Sequence, residues 1–313
     1  MKRDRPFGCE FEFSTEWDEA VPIVKMVIPK RNLRVERDYV KTEKNRTWWH
    51  LKVDGSTDIE LTSPISKMAD LPNICRIIMK LSRDLKVTSN DGFHVHVSAR
   101  DVDVRLLMIY WSRCENAIFS LVNKQRAIND SCQKIGGSFK KGMSELMKVA
   151  DDHHAALSCC YYEDRKTVEF RVAEGTRDWE FIEAWVHFCV AFVDYCQRAD
   201  PIKMLTEKGF KIGVSKMFDD IKLPRKYVTE LLARSKRINN APKCNAPSAG
   251  RPRSPCKRLD QVRLLSGAPS RRRQYSGPYQ SYPASDSSSR NTYQDPSFSC
   301  IDIPYQPYHI QGL

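Results

Sequence analysis

Short alternations of apolar and polar residues run through the first 235 residues and predict β-strands. The predicted strands span 7–13, 22–28, 33–40, 47–53, 58–62, 93–98, 157–162 and 167–173. Elsewhere apolar residues recur at helical spacing. The predicted helices cover 67–86, 101–129, 140–150, 178–198, 200–209 and 223–235, with Asp101 as the N-cap of the second. Because several strands precede the first helix, the order predicts an α+β fold with an antiparallel or mixed sheet.

The composition of the chain changes near Lys236. All six tryptophans lie before this point, and no glutamate follows it. The later segment is rich in proline and serine, and it carries the basic run Arg271–Arg273. Such a segment buries too little apolar surface to offset the entropy lost on ordering. The sequence therefore predicts a folded domain at 1–235 and a disordered basic tail at 236–313.

The location of the protein follows from what the sequence lacks. No apolar run approaches the length of a membrane span, and the first residues lack the apolar core of a secretory signal. The eleven cysteines are odd in number and show no C-x-x-C spacing, which indicates reduced thiols. These observations predict a cytoplasmic protein that makes no use of a membrane.

Four of the predicted strands share an unusual polar face. Their apolar residues lie on one side, and the other side carries acids, histidines and one arginine. These polar residues are Glu10, Glu12, Glu60, His94, His96, Glu169 and Arg171. A polar strand face is usually only solvated, but this one holds almost no lysine among its acids. Carboxylates at such density repel one another unless cations are bound between them.

The residue types on this face indicate which ligands it would bind. Oxygen-rich sites suit Mg²⁺, which commonly accompanies a phosphate substrate, and imidazole ligands are also compatible with Mn²⁺. A guanidinium such as that of Arg171 grips phosphate oxygens through two parallel hydrogen bonds. The pattern therefore predicts a metal and phosphate site on the polar face of the sheet.

Four motifs on these strands resemble a known family when taken in order. They have the forms G-x-E-x-E, D-x-S…E-[LI]-x-[ST]-P, H-x-H and E-F-R…G-T. In this sequence they occupy Gly8–Glu12, Asp54–Pro64, His94–His96 and Glu169–Thr176. Over about residues 7–200 the chain resembles the amidoligase branch of the glutamine synthetase and glutamate–cysteine ligase superfamily.

The resemblance implies a curved sheet with helices on one face and ATP with Mg²⁺ on the open face. It implies that Glu10, Glu12, Glu60, His94 and Glu169 hold the metals and that Arg171 contacts ATP phosphate. The implied reaction joins a small-molecule or peptide carboxylate to an amine through an acyl-phosphate, by positioning and charge neutralisation.

Several residues keep two interpretations at this stage. His96 either binds metal or supports residues that do. Asp54 either contacts substrate or metal, or belongs to an ordinary turn. Arg126 either binds the acid substrate or is a solvated helix residue. The pair His153 and His154 could ligate a metal, although adjacent loop histidines are usually just exposed.

Two other functions compete with an active ligase. The first is a catalytically inactive, ligase-like binding protein whose basic tail contacts nucleic acid or a protein partner. The second is a metal-dependent hydrolase that uses His94 and His96. The active ligase is favoured because a domain that had lost its activity would be expected to have lost at least one residue of a set that is intact here: Glu10, Glu12, Glu60, His94, Glu169 and Arg171.

Overall fold

The centre of the protein is a seven-stranded mixed sheet. The computed structural model describes residues 4–37, 46–53, 58–200 and 211–240. The strands are β1 Phe7–Phe13, β2 Leu33–Glu36, β3 Trp49–Lys52, β4 Ile59–Thr62, β5 Gly92–Ser98, β6 Leu157–Ser158 and β7 Thr167–Glu174. Their order across the sheet is β2-β3-β4-β1-β5-β7-β6. Neighbouring strands run antiparallel except β2 and β3, which are parallel.

Eight α-helices accompany the sheet within the described residues. They are α1 Trp17–Val27, α2 Leu71–Leu81, α3 Val104–Phe119, α4 Met143–Ala150, α5 Tyr162–Arg165, α6 Trp179–Arg198, α7 Val214–Ile221 and α8 Arg225–Asn240. Short 3-10 segments connect several elements, among them Lys124–Ile128. The predicted α+β class is therefore confirmed. Within the described residues, no helix combines the length and apolar character needed to cross a bilayer.

The apolar face of the sheet packs under α3 and α6. The rings of Phe11 and Phe93 stack across β1 and β5 with centroids 4.9 Å apart. Trp111 of α3 meets Phe170 of β7 and Phe192 of α6 edge to face, at 5.7 and 5.8 Å. These residues are buried and bring helices onto one face of the sheet. Polar residues of the strands consequently point to the other face.

An irregularity in the pairing of β5 with β7 lies close to that polar face. Val95 pairs with Phe170 and Phe93 pairs with Ala173. Two residues of β7, Arg171 and Val172, therefore lie opposite the single residue His94. This is the arrangement of a β-bulge, in which one strand contains an extra residue and the regular ladder of hydrogen bonds is interrupted.

The helix α8 is tied to the rest of the domain by polar contacts. Arg234 Nη2 donates to Glu174 Oε1 at the end of β7 at 2.6 Å, and both residues are buried. The same guanidinium lies over the ring of Phe181, 3.6 Å from its centroid. The predicted domain boundary between 235 and 236 falls inside α8, which ends at Asn240. The remaining residues of the predicted tail lie outside the described part of the chain.

Some predicted elements were wrong. The proposed strand 22–28 belongs to α1, whose buried residues Ala20 and Val24 are spaced four apart, as on one face of a helix. The run of β-branched residues there has the composition that is typical of a strand. The helix α7 was not predicted. The predicted helix 200–209 lies outside the described residues, apart from residue 200.

The second helix begins later than predicted. Asp103, not Asp101, caps α3, because its side chain accepts a hydrogen bond from the backbone N–H of Arg105 at 2.9 Å. Asp101 instead pairs with Arg5 at 2.6 Å. The helix ends at Phe119, well before the predicted end at residue 129.

Candidate active site

The register of the sheet gathers the predicted polar residues on its open face. On β1, Glu10 pairs with His94 of β5, and Glu12 pairs with Glu60 of β4. His96 of β5 pairs with Glu169 of β7. Because directly paired residues of neighbouring strands project to the same face, these side chains form one continuous polar surface. The sheet therefore brings together the residues that alternation alone selected.

Three of these residues form a cluster suited to a metal ion. Glu10, His96 and Glu169 each place a ligand atom within 4.8 Å of the others. His96 Nε2 lies 3.1 Å from Glu10 Oε1 and 3.8 Å from Glu169 Oε1. Among the described residues, neither His96 Nε2 nor Glu169 Oε2 has a partner in hydrogen-bonding geometry, although both atoms are buried. A buried carboxylate oxygen or unprotonated imidazole nitrogen in this condition is stabilised by binding a cation.

His94 lies at the middle of the polar surface. Its Nδ1 is 3.6 Å from a Glu10 oxygen and 3.4 Å from a Glu169 oxygen, and its Nε2 is 3.6 Å from a Glu12 oxygen. Only 3% of the residue is exposed. The imidazole therefore lies between the carboxylates of two strands. From this position it can ligate a cation or hold the carboxylates apart.

The charges of the cluster influence one another strongly. Burial lowers the pKa of His96, but the carboxylates of Glu10 and Glu169 outweigh this effect and leave that pKa raised. Burial acts to raise the pKa of Glu10, but His96, His94 and Lys52 bring it well below the usual value. Glu10 is consequently a carboxylate in the neutral pH range, which is the form that binds metal.

Glu12 and Glu60 are held apart from the three-residue cluster by partners of their own. Glu12 Oε2 accepts a short hydrogen bond, 2.5 Å, from the backbone N–H of Gly92. Glu60 Oε1 lies 3.1 Å from Lys52 Nζ, and both side chains are buried. Both acids remain on the polar surface, Glu12 two residues along β1 from Glu10 and Glu60 on the neighbouring strand β4.

Replacing Gly92 with alanine is expected to weaken about tenfold the Mg²⁺-dependent nucleotide binding that the resemblance implies. A Cβ atom at this position would overlap His94 Nε2 and lie 2.9 Å from Glu12 Oε2, so both side chains would have to shift. Titration by thermal shift measures the change. Gly137→Ala is the control, because a Cβ there would meet nothing within 4 Å. Equal affinities of the two variants would contradict the close fit of Gly92 to the site.

The two predicted arginines, Arg171 and Arg126, have different partners. Arg171 Nη1 binds Glu169 Oε1 at 2.5 Å, and its pKa is raised because nearby Glu169 and Glu10 outweigh the effect of burial. Arg126 is only 2% exposed, so it is not a solvated helix residue. Its Nη2 donates to the carbonyl of Arg171 at 2.7 Å and its Nε to that of Val172 at 3.3 Å. Arg126 therefore binds the carbonyl groups of the bulge.

The adjacent histidines His153 and His154 are not part of this cluster. Asp54 lies outside the described residues. His153 and His154 form a second group with Asp152, but both Asp152 and His153 are exposed. The rings of the two histidines are 3.9 Å apart. This group belongs to the turn after α4 and not to the sheet.

The structure adds residues that the sequence reasoning missed. His50 and Lys52 occupy the polar face of β3 and alternate with Trp49 and Leu51, so the pattern used for the other strands could have found them. Arg46 comes just before β3 and donates to Thr62 Oγ1 at 2.6 Å. No sequence pattern marks Arg46, because its position depends on contacts between distant segments.

The comparison with protein families agrees with the geometry. A family model described as "Putative amidoligase enzyme" matches residues 3–193. The chain belongs to this family. The matched region of the chain contains all seven strands and every polar-surface residue considered above. No match was found among curated proteins.

Proposed function

We propose that this amidoligase is an ATP- and Mg²⁺-dependent carboxylate–amine ligase. The proposal rests mainly on the cluster of Glu10, His96 and Glu169, which lies on the open face of the sheet in a member of this family. Two buried polar atoms of the cluster lack hydrogen-bond partners among the described residues, as expected of metal ligands. Mg²⁺ suits the carboxylates, and Mn²⁺ is compatible with the imidazole.

The proposed reaction has two steps. A carboxylate oxygen of the acid substrate bonds to the γ-phosphorus of ATP while the bond to ADP breaks. The amine nitrogen then bonds to the acyl carbon, and phosphate and one proton are released. Mg²⁺ in the cluster would supply charge neutralisation for the transferring phosphoryl group. The chain itself contributes fixed positions, because Glu10, His96 and Glu169 stand on paired strands.

Arg171 has a supporting role in this scheme. Its hydrogen bond to Glu169 fixes that carboxylate beside the cluster. A guanidinium in this position can also approach a phosphate oxygen, which is the role that the resemblance implies. Both roles place Arg171 within the same site.

A thermal-shift titration with Mg²⁺ and a non-hydrolysable ATP analogue tests the function without knowledge of the acid or the amine. The wild-type protein is expected to gain about 2.7 kcal/mol when the ligand is present at one hundred times its dissociation constant. Glu169→Gln is expected to lose this Mg²⁺-dependent gain, because the neutral amide is a poorer ligand for a hard cation. Glu163→Gln is the control, because this carboxylate is 88% exposed on α5.

The outcomes separate the ligase from its alternatives. A shift that requires both Mg²⁺ and nucleotide, and that Glu169→Gln abolishes, supports the ligase and justifies measuring ADP release with candidate substrates. Absence of any nucleotide shift in the wild type would refute the ligase proposal and favour a ligase-like binding protein. A shift with metal alone, accompanied by hydrolysis without ATP, would favour the hydrolase.

A further inference from the structure

A large cavity opens at the end of the polar surface where His96 lies. Its volume is about 860 Å³, within the range of small-molecule sites. The start of β1, the end of β5 and the start of β7 contribute Gly8, Ser98 and Thr167 to its wall. Glu10 and His96 also line it. A ligand in this cavity would therefore contact two members of the proposed metal cluster.

Arg46 gives the buried end of the cavity a fixed positive charge. The residue is 7% exposed, and its Nη1 donates to Thr62 Oγ1 at 2.6 Å. Its Nε is buried and finds no hydrogen-bond partner among the residues that the structure describes. A buried guanidinium with an unsatisfied donor is stabilised by an anion with oxygen acceptors.

A second guanidinium lies on the wall of the same cavity. Arg165 lines the same cavity, and its guanidinium lies 4.7 Å from the ring centroid of Tyr161. Burial lowers the pKa of Arg46, and the positive charge of Arg165 lowers it further, against the opposing effects of Glu10 and Glu60. The two arginines thus concentrate positive charge beside Glu10.

The rest of the cavity does not suit a ligand with many negative charges. The acidic residues of its lining are Asp4, Glu10, Asp101, Asp164 and Asp194, and the basic residues are Arg5, Arg46, Arg100 and Arg165. Arg5 is neutralised by Asp101 at 2.6 Å and by Asp194 at 2.7 Å. With these three paired residues set aside, three acids and three arginines remain. A nucleoside triphosphate would therefore meet as many acids as arginines. A zwitterion finds a partner for each of its charges.

The exposure of the charged residues in the cavity lining indicates how a zwitterion would be oriented. The side chain of Asp4 is 70% exposed and Asp164 is also exposed, whereas Arg46 is buried beside the cluster. A carboxylate would be drawn towards Arg46, and an ammonium group would lie nearer the acids at the solvent-facing rim. The reacting carboxylate would then be next to Glu10 and His96.

We propose that this cavity binds the acid substrate, that this substrate is an amino acid or a short peptide, and that Arg46 and Arg165 hold its carboxylate. The assignment rests on the proposed ligase function. It separates the two anionic substrates in space, because the cavity takes the zwitterionic acid and leaves the triphosphate to another part of the polar surface. Arg46, rather than Arg126, becomes the arginine that recognises the acid.

The experiment measures binding of both substrates to the full chain. Thermal shift is recorded with Mg²⁺ and the non-hydrolysable ATP analogue, and then with the common amino acids and alanine- and glutamate-containing dipeptides added at millimolar concentration. The variants are Arg46→Gln, Arg46→Lys and the control Arg83→Gln, which removes an exposed arginine outside the cavity. Each shift is referred to the variant's own melting temperature, so that a loss of stability is not mistaken for a loss of binding.

At least one amino acid or dipeptide is expected to raise the melting temperature of the wild type, and its N-acetyl form is expected to bind about tenfold more weakly. Arg46→Gln should weaken acid binding about tenfold or more with nucleotide binding unchanged, and Arg46→Lys should recover part of the loss. A nucleotide shift without any acid shift would overturn the cavity assignment alone. Equal weakening of nucleotide and acid by Arg46→Gln, or N-acetyl forms that bind as well, would also overturn it. Absence of the nucleotide shift would overturn the ligase proposal itself.

Discussion

Replacement of Arg234 by leucine is expected to lower the free energy of unfolding by about 3–5 kcal/mol. The substitution removes the partner of Glu174, whose carboxylate is 4% exposed. The second oxygen of Glu174 accepts from the backbone N–H of Asn123 at 3.1 Å. An unpaired charge would thus remain buried at the end of β7. The stacking of the guanidinium on Phe181 would be lost as well.

Chemical denaturation of the full chain measures this effect. The control is Arg237→Leu on the same helix, because Arg237 is 57% exposed and pairs with Asp178 and Glu230 at the surface. Exposed pairs of this kind contribute about 0–1 kcal/mol. A loss no larger for Arg234→Leu than for Arg237→Leu would show that the buried pair does not hold α8 to the domain.

Replacement of Arg126 by methionine is expected to lower the free energy of unfolding by about 2–4 kcal/mol and to weaken Mg²⁺-dependent nucleotide binding. The side chain of methionine fills similar space but donates no hydrogen bond. The carbonyl groups of Arg171 and Val172 would lose the donors that satisfy them inside the protein. Because Glu169 lies only two residues before the bulge, relaxation of the bulge would move a member of the metal cluster.

Denaturation and the nucleotide thermal shift together test this role. Lys124→Met is the control, because Lys124 is exposed in the same short 3-10 segment. Arg126→Lys should restore only part of the stability, since an ammonium group lacks the planar fork that reaches two carbonyl oxygens. If Arg126→Met instead weakened acid binding alone, with stability and nucleotide binding unchanged, Arg126 would be a substrate-binding residue as the sequence reasoning allowed.

The sequence predicted the candidate site best where its polar residues alternate with apolar residues along a strand. Glu10, His94 and Glu169 were assigned to one face from their spacing, and the register of the sheet places them together. Alternation cannot show which strands are neighbours, so the three-residue cluster could not be separated from the seven candidates. The order of the motifs supplied the family, and the family model confirms it.

The roles of Arg126 and Arg46 could not be predicted from the sequence, because they depend on contacts between segments that are separated along the chain. The role of Arg126 requires the bulge, and a bulge is visible only when two strands are paired. Arg46 becomes part of the site because its segment folds over Thr62, sixteen residues further along the chain. The strand predicted at 22–28 failed because a run of β-branched residues has the same composition in a strand and on the buried side of a helix.

The extra residue divides β7 into two halves that differ in which of their residues, odd- or even-numbered, face the polar surface. Before the bulge, the odd-numbered residues 169 and 171 face the polar surface, and after it the even-numbered Glu174 pairs with Gly92 on that face. The first half carries Glu169 of the three-residue cluster, and the second half anchors α8 through Glu174. The bulge absorbs the change of register between the two halves, so both carboxylates project to the same face of the sheet. Deletion of Val172 is expected to restore a regular ladder in which Glu169 still pairs with His96 and Glu174 with Gly92, while Arg126 loses the Val172 carbonyl that its Nε binds.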